Sequence, residues 1–345
     1  MRATASLAIA MAACGLAAGQ ASAESPTLYV GAYGGSTERA MKEVIIPSFR
    51  DDHDVEIIYV PGNSTDTLAK LQAQRGNQEL DVVLLDDGPM YQAVNFGFCE
   101  SIGDVPVLDD VYDIAHLPGG KAVGIGFVAT GFAYNRELFE ENGWEPPQSW
   151  ADLADSRYRD KLVVPPVNNT YGLHALVMAA RINGGGEQNI DPGFEAFKER
   201  IAPNVLTFEP SAGKMSELFQ SGEIALSVWG SGRLKALADT GFPGAFAYPE
   251  EGAVALMVGA CPVSESNVPE LSRAFIEHLL SPEIQQVLAE RQGWGPTNRT
   301  AELPPALADS LPYGEKIDQL VTVDWNVINE HRLEWTNRWN RRVER

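Results

Sequence analysis

Basic residues are scarce in this sequence. Of its 345 residues, 26 are Lys or Arg and 47 are Asp or Glu, so the formal net charge at pH 7 is −21. Nucleic acids and anionic membranes bind positively charged protein surfaces, so this balance argues against both as partners. It is compatible with a cationic ligand, although most of the carboxylates are expected to be solvated surface groups.

Residues typical of metal sites and nucleophiles are also few. The five histidines are scattered, with no His-x-x-His or His-Glu-x-x-His spacing, so no local motif predicts a metal or a cofactor. Residues Gly230-Ser231-Gly232 lack the Gly-x-Ser-x-Gly form of a nucleophile elbow. An enzyme is the disfavoured alternative, and we expect a binding protein without a metal or a cofactor.

Long apolar runs are confined to the N-terminus. Arg2 precedes an apolar stretch over residues 7–18, and Ala21-Ser22-Ala23 fits the small-x-small cleavage site of an exported protein. Residues 1–23 are therefore predicted to be a signal peptide, with lipoprotein processing at Cys14 as the alternative. No later segment approaches 18 unbroken apolar residues, so no other membrane span is predicted. We expect a periplasmic protein.

Only two cysteines, Cys99 and Cys261, follow the predicted signal peptide. An oxidising compartment permits a disulfide between them. Both lie in apolar segments, however, where buried free thiols are about equally expected. The sequence leaves the two states open.

The remaining chain alternates short apolar runs with helical stretches, which is typical of β-α-β units in an α/β fold of two lobes. Three of the predicted strands end in polar turns, at Tyr33-Gly34-Gly35-Ser36, at residues 63–66 and at Asp86-Asp87-Gly88. In open α/β sheets, ligands collect beyond the carboxyl ends of the strands. Because adjacent residues in an extended segment point in opposite directions, one Asp is expected to face the cleft and the other to cap the helix.

A second α/β stretch follows a predicted crossover at residues 121–135. Its strands also end in polar turns, at residues 166–171 and 229–232, and residues 245–248 with 255–263 are predicted to return to the first lobe. At the C-terminus, Trp325, Ile328, Trp335 and Trp339 lie at helical spacing. This stripe is expected to pack on its own protein, with a partner-docking helix as the alternative.

Several blocks, at residues 29–36, 80–88, 130–135, 149–153, 158–162, 228–232 and 246–252, occur in an order and spacing that resemble a known family. The chain is similar to the extracellular solute-binding proteins of ABC importers, in the branch that includes polyamine, ferric-iron and thiamine receptors. The resemblance implies a type II periplasmic-binding-protein fold, with two α/β lobes joined by two crossover strands. It also implies a monomeric receptor that closes on a small-molecule solute and delivers it to a membrane permease.

The expected division places the signal peptide at 1–23, the first lobe at 24–127 and 245–300, the second lobe at 128–244, and a C-terminal helical segment at 301–345. Tyr33, Asp86, Asp87, Tyr91 and Trp229 match positions that hold amines in polyamine receptors. The second-lobe turn that is acidic in those receptors reads instead Asn168-Asn169-Thr170-Tyr171, which disfavours a long polyamine with two charged ends.

Iron receptors carry an adjacent pair of tyrosines late in the second lobe, and this sequence has none. A smaller amine, or a zwitterion whose anionic end meets Gly34-Gly35-Ser36 or Arg233, fits better, with an anionic or thiamine-like solute or ferric iron as alternatives. Trp144 and Trp294 are expected to be packing residues. The predicted ligand-binding residues are Tyr33, Gly34, Gly35, Ser36, Asp86, Asp87, Tyr91, Asn168, Asn169, Tyr171, Trp229 and Arg233.

Overall fold

The structure, a computed structural model, describes residues 25–209 and 211–344. The predicted signal peptide lies outside this part of the chain. Within it, no helix is both long enough and apolar enough to cross a membrane.

The first part of the chain forms three parallel strands, each followed by a helix. Backbone pairing places β1 between β2 and β3. These elements are β1 (Thr27–Ala32), α1 (Ser36–Ala40), α2 (Ile46–Asp52), β2 (Glu56–Pro61), α3 (Ser64–Ala73), β3 (Val82–Asp86) and α4 (Asp87–Asn95). A π-helical segment, Met41–Ile45, joins α1 to α2 without a break.

The middle of the chain contains the second α/β unit. Its strands β5 and β6 run parallel, as do β5 and β7. The elements are β4 (Val123–Asn135), α5 (Arg136–Asn142), β5 (Leu162–Val164), α6 (Thr170–Ile182), α7 (Asp191–Ala196), β6 (Val205–Phe208), α8 (Ala212–Gln220), β7 (Leu226–Gly230), α9 (Ser231–Ala238) and β8 (Gly244–Ala247).

The last part returns to the first unit and then adds helices. It comprises β9 (Ala253–Pro262), α10 (Pro269–Leu280), α11 (Pro282–Gln292), α12 (Pro305–Ser310), β10 (Leu320–Val321) and α13 (Trp325–Arg342). One sheet connects the two units in the order β2-β1-β3-β9-β4-β7-β5-β6, with β8 on β4 and β10 on β9.

The long strands β4 and β9 carry the chain between the units. Residues 123–130 of β4 pair with β9, and residues 130–134 pair with β7. β9 in turn pairs with β3. Each of these two strands therefore belongs to both units, which is the arrangement of the predicted crossovers.

Buried apolar side chains fall into groups on either side of this crossing. The first core is built by β1–β3, the first half of β4, β9, α10 and α11. The second core is built by β5, α6, α7 and the end of β4, and a third cluster lies under α8 and α9. This distribution is compatible with the predicted lobes, and their boundaries in residue numbers stay a prediction.

The tryptophan stripe of α13 is buried within the chain. Trp325, Ile328, Trp335 and Trp339 all belong to the second core, and none is more than 3% exposed. The expectation that this stripe packs on its own protein, rather than on a partner, agrees with this burial.

The two cysteines form a disulfide. Cys99, which follows α4, bonds to Cys261 in β9, with the Cα atoms 5.7 Å apart and a sequence separation of 162. The bond fastens one end of a crossover strand to the first core.

Candidate functional site

A cleft of about 710 Å³ opens where the predicted strand ends converge. The turns after β1, β2 and β3 form one wall, because parallel strands place their carboxyl ends at the same edge of a sheet. The N-terminal turns of α6 and α9 form the other wall. The cleft is lined by polar and aromatic side chains from both units.

Tyr33 and Asp86 form the centre of the first wall. The Tyr33 hydroxyl donates a hydrogen bond of 2.7 Å to Asp86 Oδ1. Ser64 Oγ donates to the Tyr33 hydroxyl at 3.3 Å and accepts from the Asp86 backbone N–H at 3.0 Å. Gly35 has φ +70° and opens the turn into α1, a conformation that glycine adopts without strain. The carboxylate of Asp86 is thus held in a fixed orientation at the edge of the cleft.

Opposing effects act on the ionisation of Asp86. Burial is the largest effect and raises the pKa of the Asp86 carboxyl above its ordinary value, while the hydrogen bond from Tyr33, the contact with Ser64 and the charges of Arg332 and Arg233 offset this rise only in part. Burial, followed by the charge of Asp86, raises the pKa of Tyr33 well above its ordinary value. The Tyr33 hydroxyl therefore stays protonated and remains a donor to the carboxylate.

Asp87 points away from the cleft. It is 4% exposed, and its carboxylate accepts from the backbone N–H of Gly88 at 3.0 Å and of Met257 at 3.3 Å. Burial, followed by the charge of Asp86, raises the pKa of Asp87 to about 8. Asp87 and Tyr91 instead line a cavity of about 30 Å³ together with Trp325.

These positions correct the prediction that Asp87 and Tyr91 bind the ligand, because neither residue lines the main cleft. Asp86 and Asp87 are adjacent at the junction of β3 and α4, and their side chains leave the backbone in opposite directions. The inward-facing residue of the pair is Asp86, and its side chain makes no capping hydrogen bond to α4.

The second wall consists of two helix N-termini and their first side chains. Asn169 Oδ1 accepts from the Tyr171 N–H at 2.9 Å and so caps α6. Tyr171 and Arg233 line the cleft from α6 and α9. Burial raises the pKa of Tyr171, and a hydrogen bond with Arg233 and its charge oppose this effect. Unpaired N–H groups and a guanidinium give this wall positive character.

Asn168 and Trp229 do not line the cleft. The Asn168 carbonyl accepts a hydrogen bond of 3.2 Å from Arg332 of α13. Trp229 is 2% exposed and its ring stacks on Phe219 in the third core, with ring centroids 5.9 Å apart. Because side chains alternate along β7, Trp229 points into this core, which corrects the expectation of an aromatic cleft wall.

Trp294 supplies an aromatic wall that the sequence did not indicate. It was expected to be a packing residue, yet it lines the cleft at 8% exposure, with its ring 6.2 Å from that of Tyr33 in an edge-on contact. Gly293, at φ +68°, ends α11 and turns the chain before Trp294. Further lining residues from this region and from the first wall are Thr37, Asn63, Ser64, Arg291 and Gln292.

Charged side chains of both signs surround the cleft. Lys235 and Asp239 line it from α9 and form an ion pair of 2.6 Å with each other. Glu290 and Arg291 line it from α11. Across residues 25–209 and 211–344, no group of three or more His, Cys, Asp or Glu side chains is arranged to hold a metal ion. The charged, hydroxyl and aromatic side chains of the lining offer a solute charge pairing, hydrogen bonding and aromatic contact.

The model of the bacterial extracellular solute-binding protein family matches residues 45–311. The chain belongs to this family. Among its relatives is a thiamine-binding periplasmic protein from Brucella melitensis, 26% identical over 299 residues, which are 85% of this chain and 84% of that protein. A gamma-aminobutyric acid-binding protein from Pseudomonas aeruginosa is 22% identical over 339 residues, 94% of this chain and 92% of that protein.

Solved structures agree with the family in fold. The crystal structure of an ABC transporter protein from Clostridium perfringens superposes with a TM-score of 0.82 at 23% identity, covering 92% of this chain and 99% of that one. The predicted type II periplasmic binding fold is confirmed. This solute-binding protein is a receptor for a small molecule that an ABC permease takes up, and it is not an enzyme.

Proposed function

We propose that this solute-binding protein captures a small zwitterionic amine. The cationic nitrogen lies at Asp86, between the rings of Tyr33 and Trp294. The anionic group lies at the opposite wall, near Arg233 and the N-termini of α6 and α9. The residues that we assign to the site are Tyr33, Gly34, Gly35, Ser36, Asp86, Asn169, Tyr171, Arg233 and Trp294.

The observation that carries this proposal is the placement of Asp86. A partly buried carboxylate is costly unless it meets donors or a cation, and the Tyr33 hydroxyl bonds only one of its two oxygens. The rings of Tyr33 and Trp294 border the same space, and an aromatic face attracts a cation by roughly 0.5–2 kcal/mol. A positively charged nitrogen gains from both features.

The opposite wall favours a negative group. Arg233 is exposed in the cleft beside two helix N-termini, each of which carries partial positive charge. A second ammonium group at this wall would be repelled, so a long polyamine fits less well than a zwitterion. Thiamine and gamma-aminobutyric acid, which appear in the names of relatives, both carry a cationic nitrogen.

Uptake follows from closure of the cleft. The crossover strands β4 and β9 are the covalent links that would flex as the two units approach the solute, and the closed form is presented to the permease. The solute shifts the equilibrium between the open and the closed form only by its greater affinity for the closed form. We propose that the receptor works as a periplasmic monomer after removal of residues 1–23.

A thermal-shift panel followed by calorimetry tests the proposal. The panel contains thiamine, gamma-aminobutyric acid, putrescine and inorganic phosphate, because a solute that binds the folded state raises its apparent stability. Asp86→Asn should weaken the best amine at least about tenfold, since removing one member of a partly buried charge pair is costly. Asp191→Asn is the matched control, because it removes the same charge from an ion pair, with Arg338, that does not line the cleft. Phosphate as the best ligand, or unchanged affinity in Asp86→Asn, would refute the amine assignment.

A further inference from the structure

The C-terminal helix α13 reaches the back of the cleft. Asn329 Nδ2 donates a hydrogen bond of 3.0 Å to the carbonyl of Gly88, in the first turn of α4. Trp325 packs against Gly88 so closely that a Cβ atom added there would lie 2.9 Å from the indole ring. The face of α13 that carries Trp325 and Asn329 therefore packs against the first turn of α4, next to Asp86 and Asp87.

Arg332 lies one turn beyond Asn329 on this helix face. Its guanidinium donates a hydrogen bond of 3.2 Å to the carbonyl of Asn168, directly before the α6 cap of the second wall. Arg332 is partly buried, which lowers the pKa of its guanidinium, and the charges of Asp86 and Asp87 oppose that effect. Arg332 is thus tied to the second wall by its hydrogen bond, on the helix face that packs beside the first turn of α4, and its charge acts on Asp86 of the first wall.

The other groups around Asp86 act differently. The Tyr33 hydroxyl donates a hydrogen bond to the Asp86 carboxylate, and Ser64 Oγ accepts one from the Asp86 backbone N–H. Asp87 repels Asp86 as a like charge only when it ionises, which happens as the pH approaches 8. Tyr171 faces Asp86 from α6, and Arg233 from α9. Arg233 is exposed at the cleft surface, where it can bind the anionic group of a solute. Within the described part of the chain, Arg233 and Arg332 are the cations that act most strongly on Asp86, and Arg332 does not line the cleft.

We propose that Arg332 is a positioning residue for solute capture, which keeps the Asp86 carboxyl ionised so that it receives the cationic nitrogen of the solute. The proposal rests on the amine-binding function proposed above and deepens it. It assigns two roles to the C-terminal helix α13, which packs on the second core and also controls the ionisation of Asp86 in the cleft. Because α13 is anchored in the second core by Trp335 and Trp339, this electrostatic interaction acts between the two units.

The first test needs no solute. Carbon-13 NMR of the aspartate carboxyls follows the titration of Asp86 in the mature protein, with the signal assigned by its loss in Asp86→Asn. In Arg332→Gln, the titration midpoint should rise by about one pH unit or more, as expected when a carboxyl loses a close cation. Arg332→Lys should restore most of the shift. Arg342→Gln, at the exposed end of the same helix, is the matched control and should leave the midpoint unchanged.

Arg332→Met, which keeps an aliphatic stem of similar reach, provides a second variant if the glutamine variant does not fold. Equal midpoints in wild type and in a folded Arg332 variant would overturn the proposal. The second test measures the affinity for gamma-aminobutyric acid, a zwitterionic amine, against pH. The acid limb of this profile should move upward with the Asp86 midpoint. A shifted midpoint in a protein that binds neither gamma-aminobutyric acid nor any other amine of the panel would support the role of Arg332 in ionisation and refute the proposed solute class instead.

Discussion

The Tyr33 hydroxyl lies 2.7 Å from Asp86 Oδ1 and donates to it across 53 residues of sequence. This bond joins the turn after β1 to the end of β3, so residues from two strand ends form one hydrogen-bonded pair. It also leaves Oδ2 of Asp86 for a second donor. The function proposed for the cleft depends on this arrangement, because a fixed carboxylate with one unbonded oxygen is suited to a single cationic nitrogen.

Tyr33→Phe should weaken amine binding by roughly 1–2 kcal/mol, about five- to thirtyfold, because it removes a hydrogen bond to a charged group. Calorimetry with the best amine of the panel measures this loss. Tyr313→Phe is the matched control, since the Tyr313 hydroxyl donates to the carbonyl of Ala301 and does not line the cleft. Equal losses in both variants would show that the effect does not come from the cleft.

Alanine substitution of each of two tryptophans should distinguish an effect on solute binding from an effect on protein stability. Trp294→Ala should reduce amine affinity by roughly 1–3 kcal/mol, because it removes an aromatic wall of the cleft. Trp229→Ala should instead lower the free energy of unfolding by about 3–5 kcal/mol, because it leaves a cavity beside Phe219. Urea unfolding and calorimetry on both variants give the comparison. A folded Trp229→Ala protein with the larger loss of affinity would contradict the assignment of Trp229 to the core.

Removal of the disulfide should affect stability without affecting solute affinity. The double variant Cys99→Ala/Cys261→Ala is expected to lose about 2–5 kcal/mol of unfolding free energy, because the bond closes a long loop in the unfolded chain. Neither cysteine lines the cleft. Urea unfolding measures the loss, and reduction of the wild-type protein should reproduce it. A variant as stable as the oxidised wild type would contradict this expectation.

The sequence was sufficient to place the site because strand ends in an α/β sheet meet at one edge. The turns carrying Tyr33 and Asp86 follow recognisable strands, and the turn carrying Asn169 precedes a recognisable helix. These local patterns were enough to predict a cleft between two units and to name eight of the twenty-four residues that line it. Their roles in binding stay predictions.

Side-chain direction and long-range contacts could not be predicted in the same way. Nothing in the local sequence tells which of Asp86 and Asp87 faces the cleft, or that Trp229 faces a core. Trp294 and Arg332 reach the site from helices far along the chain, and only the packing of α11 and α13 brings them there. A single sequence carries no pattern that links these residues to Asp86.

Asp87 should make stability depend on pH. Its pKa is about 8 in the folded protein and about 3.8 when unfolded. Below pH 3.8 both states carry the proton, and above pH 8 neither does. Between these values only the folded state retains it, so unfolding releases a proton and the free energy of unfolding falls as the pH rises. The contribution of Asp87 is thus fully present in acid and is lost as the pH approaches 8.

Asp87→Asn removes this titration while keeping the shape of the side chain. The free energy of unfolding of the variant, minus that of wild type, should therefore grow by about 1 kcal/mol per pH unit from pH 5 to pH 8. Urea unfolding at four pH values measures the difference, in which groups common to both proteins cancel. Asp109→Asn, at an exposed position, is the control and should stay parallel to wild type. If the free energy of unfolding of Asp87→Asn instead changed with pH in parallel with that of wild type, Asp87 would already be ionised at pH 5 in the folded protein. Its charge would then be balanced by Trp325, Arg332 and the Met257 N–H.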